Sequence, residues 1–148
     1  LMEQLEKAII ASSDPGQSNE VRQQAALFIN NFLAQSDGWK RCLETIFTNT
    51  STVVTVFCFE TLRHLTLHNY DDLTAEDKAL LRTALFKWLL EYTSTNTNID
   101  PAVKGKFAQV LVAVFSLEYP TNWPDFFPKL FSALSIQPFS PNLLILML

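Results

Sequence analysis

The sequence predicts an all-α chain, a right-handed superhelical solenoid of antiparallel helix pairs. Three observations predict it. Apolar residues recur at helical spacing along the whole chain. Capping and breaking residues punctuate it at regular intervals, and no stretch alternates apolar with polar as a half-buried strand would.

Taken in order, residues 1–11 form the first helix. Ser18 or Asn19 precedes the face Val21, Ala25, Phe28 and Phe32, and Ser36-Asp37-Gly38 ends it. Residues 39–47 place Cys42, Leu43 and Ile46 on one side, and Thr48-Asn49-Thr50-Ser51 is a turn. The β-branched run Thr52-Val53-Val54-Thr55-Val56 has strand propensity. Its apolar positions continue through Phe57, Cys58, Thr61, Leu62 and Leu65, so a helix is predicted. Thr74-Ala75-Glu76-Asp77 is a capping box, opening a helix with Leu81, Leu85, Trp88 and Tyr92 on one face. Asp100-Pro101 opens the next, because Asp caps free amides and Pro suits the first turn. Its stripe is Val103, Phe107, Val110, Val114 and Leu117. Asn122-Trp123-Pro124-Asp125 opens a helix burying Phe127, Leu130, Phe131 and Leu134, and Ser140-Pro141 opens an eighth.

Predicted starts near 1, 19, 38, 52, 75, 101, 122 and 141 put successive pairs about 37, 37 and 47 residues apart, near the roughly 40–47 residue period of HEAT and armadillo arrays. The expected pairs are 1–35, 38–67, 75–117 and a truncated 122–148, about three and a half HEAT-type repeats in one segment of a larger solenoid. A simple bundle of similar helices is the plainer alternative. The chain begins at Leu1 and ends in the apolar run 143–148, which reads as part of a longer protein.

Composition narrows function. The 148 residues carry 11 Lys and Arg against 15 Asp and Glu, a net charge of −4, which disfavours stand-alone nucleic-acid binding. At 48% apolar the chain can build a core, and disorder is excluded for most of it. Gly16, Gly38 and Gly105 are the three glycines, too few and too scattered for a phosphate-binding loop, and no cofactor is implied. No apolar run reaches the roughly 20 residues of a membrane span, so no membrane insertion is expected.

No catalytic constellation stands out. Cys42 and Cys58 lie on apolar stripes, where a thiol stays protonated, so pairing either with His64 as base is disfavoured. His64 and His68 have the i, i+4 spacing of a zinc pair but lack the Glu of HExxH; two ordinary histidines at a helix end is the plainer reading, and no metal is expected. Asp71-Asp72 and Glu76-Asp77 are solvated acids favouring a helix N-terminus. Trp88, Phe107, Trp123, Phe126, Phe127 and Phe131 could stack bases, but most have core spacing.

Glu118-Tyr119-Pro120-Thr121-Asn122-Trp123-Pro124-Asp125-Phe126-Phe127 resembles a segment of the exportins of the importin-β (karyopherin-β) family, where a helix ends in a Glu-Tyr-Pro-like turn before Trp-Pro and aromatics. The stretch 104–111 is similar to the family's preceding helix, and Ser36-Asp37-Gly38-Trp39 to the joint between its first two repeats. Residues 57–62, Leu81-Arg82 and 85–89 are most similar to its tRNA-exporting branch. The resemblance implies the N-terminal portion of a nuclear export receptor that shuttles between nucleus and cytoplasm and is no enzyme. It implies Ran in its GTP form as a partner, tRNA cargo held mostly outside this segment, and nucleoporins. A family member with protein cargo, or a helical scaffold without a GTPase partner, is the alternative.

Polar faces opposite the core stripes carry Gln23, Gln24 and Asn31, then Glu60, Arg63 and His64, then Lys104, Lys106 and Gln109. A solenoid would set these faces side by side. Under the resemblance, Glu60, Arg63, His64, Lys104, Lys106 and Gln109 become the candidate Ran-binding residues.

Overall fold

Several helices start where a side chain satisfies a free amide. In the computed structural model, which describes residues 2–48, 51–94 and 99–136, the described residues form seven α-helices and no strand. They are α1 (Met2–Ser13), α2 (Asn19–Ala34), α3 (Gly38–Thr48), α4 (Thr52–His68), α5 (Ala75–Ser94), α6 (Pro101–Glu118) and α7 (Phe126–Ile136), with a 3-10 turn at Tyr70–Asp72. The eighth segment and the apolar tail expected after residue 136 lie outside the described residues. This all-helical composition is that of a HEAT-type helical solenoid. The chain divides into two compact units, Leu1–Leu62 and Arg63–Leu148.

In the first unit, the Ser18 hydroxyl accepts from the Val21 amide at 3.2 Å and sets the start of α2. Helix α2 packs on α1 and on α3. Leu5, Ala8 and Ile9 of α1 are buried, as are Ala25 and Phe32 of α2. Val21, expected inside, is 39% exposed, and Phe28 is half-buried. The inner face of α2 is thus narrower than its sequence suggests. Cys42, Leu43 and Ile46 of α3 are buried as expected, and Trp39 joins them.

The β-branched start of α4 is helical. The Thr55 hydroxyl donates to the Ser51 carbonyl at 2.9 Å, satisfying itself within the turn. Val54, Cys58, Phe59 and Leu62 are fully buried, whereas Phe57, Thr61 and Leu65 of the expected stripe are only half-buried, so the buried face is rotated toward Phe59. Tertiary burial on this face overrides the strand propensity of the run.

Gly38 marks a close approach between α2 and α3. A Cβ there would lie 2.6 Å from the Phe32 carbonyl oxygen, a backbone atom that cannot step aside. Gly38→Ala should cost about 1–3 kcal/mol by forcing the joint apart. Gly105, in the exposed middle of α6, has nothing within 4 Å of its would-be Cβ. Gly105→Ala should therefore stabilise the chain, by about 1 kcal/mol of helix propensity. Denaturant titration of the two variants should show opposite signs; equal signs would contradict this geometry.

In the second unit, the Thr74 hydroxyl accepts from the Asp77 amide at 3.1 Å, and the Asp100 carboxylate accepts from the Ala102 amide at 2.8 Å. Both predicted caps form. Leu81, Leu85 and Trp88 of α5 are buried, as are Val103, Phe107, Val110 and Val114 of α6. The Trp88 and Phe107 rings are 4.4 Å apart. Phe115 of α6 meets Phe126 and Phe127 of α7 at 5.2 and 5.7 Å, edge to face, the favoured aromatic geometry. The side chains of Tyr92 and Leu134, expected inside, are outside the described residues.

Three expectations differ from the structure. Helix α7 begins at Phe126, not 122, because the Asn122 and Trp123 amides both donate back to the Glu118 carbonyl, at 2.8 and 3.1 Å. These bonds hold 119–125 as a turn, and the ladder restarts where the Lys129 amide reaches the Asp125 carbonyl. Phe131 of α7 is 55% exposed rather than core. Leu117, expected to end the α6 stripe, is 54% exposed, and Glu118 takes its place at 2%. Of the possible base-stacking aromatics, Trp88, Phe107, Trp123 and Phe126 are buried in packing.

Candidate functional site

Glu118 closes α6, and its carboxylate is the most heavily partnered polar group described. The Tyr70 hydroxyl of the 3-10 turn donates to its Oε1. The Arg82 guanidinium of α5 donates to the same oxygen at 2.9 Å, and the Asn122 side-chain amide donates to Oε2 at 2.8 Å. One carboxylate thus ties together the 3-10 turn, α5, α6 and the turn leading to α7. Burial by itself would raise the Glu118 carboxyl, but the bonds from Tyr70 and Asn122 and the Arg82 charge outweigh it and hold the group below the usual glutamate range. Burial first, and then the bond to Glu118, push the Tyr70 hydroxyl above its ordinary range, so it stays a donor. The arrangement is a structural clamp, since three of the carboxylate's roughly four lone-pair sites are taken by the protein itself.

Beside the clamp, α5 and the 119–125 turn enclose a groove of about 560 Å³. Phe86 and Trp123 supply apolar walls, and Arg82, Lys87, Asp125 and Lys129 supply charge. Lys129 is paired with Asp125 at 2.7 Å, and this bond lowers the Asp125 carboxyl. Lys87 lies 4.0 Å from Glu91.

The six residues singled out in sequence are distributed as follows. Glu60 belongs to the first unit and the other five to the second. Arg63 is half-buried and His64 exposed, one after the other on α4. On α6, Lys104 and Lys106 are both half-buried and Gln109 is exposed. Positions two apart on a helix differ by about 200° of rotation, so the two lysines flank the buried stripe on opposite sides. Lys106 shares its flank with Gln109, three residues on. Lys104 shares the other with Ala108, Leu111 and Phe115, the ring that packs on α7. The face drawn through both lysines is therefore two faces. Gln23, Gln24 and Asn31 of α2 are exposed.

The Cys42 and Cys58 thiols are fully buried in the first unit. Hydrogen bonding to Cys42, and then burial, push the Cys58 thiol far above its ordinary range, which keeps the nucleophilic thiolate out of reach. Among the described residues no group of three or more His, Cys, Asp or Glu is placed to hold a metal ion. No described helix is long and apolar enough to cross a membrane.

Sequence reasoning missed the Glu118 clamp as a structural element. Its only local signal is a charge four residues beyond Val114, in phase with the α6 stripe. The partners that make such burial tolerable, Tyr70 and Arg82, are 48 and 36 residues away.

Comparison with known proteins places these features. Residues 100–148 match the family model described as Exportin 1-like protein, a stretch that spans α6, the 119–125 turn and α7. Exportin-T of Dictyostelium discoideum is 35% identical over 134 residues, covering 90% of this chain and 12% of that protein. Exportin-T of Danio rerio is 32% identical over 123 residues, 82% of this chain and 12% of that protein. Human exportin-T is 27% identical over 136 residues, 90% of this chain and 14% of that protein. The chain thus spans only 12–14% of the length of these curated relatives. Sustained similarity across nearly all seven helices, together with the family match at the turn that Glu118 anchors, makes the chain a member of the exportin family, and within it exportin-T-like.

Proposed function

We propose that the chain is the N-terminal, Ran-facing portion of a nuclear export receptor that carries tRNA from nucleus to cytoplasm. The observation that carries this reading is the 35% identity to an exportin-T across 90% of the chain. In this reading the protein shuttles through the nuclear pore, meets nucleoporins there, and works as a binding receptor without a chemical step. Ran in its GTP form is the partner of this segment, and the tRNA is held mostly by other repeats. The net charge of −4 supports that division, because an acidic segment repels phosphates on average.

Contact with Ran falls on the polar flank of α6 that carries Lys106 and Gln109, and on Arg63 and His64 of α4. Glu60 and Lys104 are further contacts. Mixed charge of this kind suits a protein partner, where complementarity sets association rate and specificity. The test is binding of the full-length protein to Ran loaded with a non-hydrolysable GTP analogue or with GDP. Selective binding of the GTP form is expected. Reversing charge at Lys104 and Lys106 together should weaken that binding on the order of tenfold, about 1.4 kcal/mol, with thermal stability unchanged. Because the two lysines lie on opposite flanks, the single reversals then assign the contact, with the larger loss expected at Lys106. Equal affinity for both nucleotide forms would refute the reading.

A further inference from the structure

The last turns of α4 present a second feature, which shares His64 with the proposed Ran contact and is read by metal binding instead. His64 and His68 are one helical turn apart, and their ring centroids are separated by 4.5 Å at a tilt of 44°. Both side chains are exposed. Apart from their contact with each other, neither ring has a hydrogen-bond or ion-pair partner among the described residues.

From this we propose that His64 and His68 form a bidentate, solvent-facing site for a late first-row divalent cation. Spacing alone left two ordinary histidines as the plainer reading. The structure adds proximity, exposure and the absence of competing bonds. Histidines at i, i+4 on a helix lie on one face, and a shared ion needs each ligating nitrogen about 2.0–2.1 Å away. Rings already 4.5 Å apart reach that arrangement by side-chain rotation alone, with no backbone movement. Exposure removes the desolvation cost that burying a cation would carry.

The same features set the site's character. Two imidazoles leave the other coordination positions to water, so the ion is exchangeable. Imidazole ligands favour copper, nickel and zinc over magnesium and calcium, and affinity should follow the order copper above nickel, with zinc below copper.

The test is calorimetric titration of the full-length protein with Cu²⁺ alone and with Zn²⁺ alone, repeated on His64→Ala and His68→Ala. Both positions are exposed on a helix, and circular dichroism checks that each variant stays folded. The expected result is loss of one metal equivalent in either variant, with at least tenfold weaker binding of the remainder at that site. Copper should bind more tightly than zinc in the unmodified protein. Titrations unchanged in both variants would overturn the proposal, and so would a loss confined to one variant, because a chelate needs both rings.

Discussion

Glu118→Ala should destabilise the chain by about 3–5 kcal/mol, the usual effect of breaking a buried charge pair from one side. The carboxylate is 2% exposed, so its removal leaves the Tyr70 hydroxyl and the Arg82 guanidinium without their shared acceptor. The Asn122 side chain loses its bond as well, which frees the turn that leads into α7. The damage should be uneven. Hydrogen exchange should rise most at the Asn122 and Trp123 amides and along α7, with little change in α1 and α2.

The pH dependence follows from the direction of the shift. The folded-state carboxyl of Glu118 lies below the ordinary glutamate value of about 4.3. Its contribution is therefore complete above that value and is lost as pH falls through the folded-state value. Stability of the unmodified chain should drop as pH is lowered below about 5. Glu118→Gln should be less stable at neutral pH and should show a flatter acid limb. Parallel acid limbs in the two proteins would mean that the carboxylate is not held in its charged form.

Phe107→Ala should cost a similar amount, about 3–5 kcal/mol, through a different mechanism. The ring is fully buried and lies 4.4 Å from the Trp88 ring. Truncation removes apolar transfer energy and leaves a cavity between α5 and α6 that the facing indole cannot fill without leaving its rotamer. Because no titratable group is involved, this loss should be the same at pH 5 and pH 7. Urea denaturation read by Trp fluorescence measures it. A midpoint within experimental error of the parent would place α6 in the wrong rotational phase.

Helix existence was legible from the sequence because capping residues act locally. Ser18, Thr74 and Asp100 each bond an amide two or three residues away, so their signal needs no tertiary information. Rotational phase was legible in mid-helix for the same reason: Val103, Phe107, Val110 and Val114 repeat at the helix period and are buried. Phase failed at the helix ends. Leu117 and Glu118 are both compatible with the stripe, and hydropathy favours the leucine, yet the glutamate goes inside because Tyr70 and Arg82 come from other elements to meet it. The late start of α7 has the same origin, since the Asn122 and Trp123 amides are captured by the Glu118 carbonyl.

The candidate contact residues were legible as polar positions and less so as a surface. Positions two apart are rotated by about 200°, and this separates Lys104 from Lys106 across the α6 stripe. The exportin character was legible in the 118–127 segment because that turn combines a buried carboxylate with buried aromatics, Trp123 and Phe126, in a short stretch.

Under the proposed function, this chain is part of an export receptor whose GTPase and cargo sites are coupled. The most direct measurement is the affinity of the full-length protein for Ran in its GTP form, with and without saturating tRNA, paired with the affinity for tRNA with and without that Ran. Linkage requires that each ligand strengthen the other by the same factor, typically 5- to 150-fold. A factor in that range is expected, equal in both directions and absent when Ran carries GDP. Independent binding, with a factor of one in both directions, would contradict it.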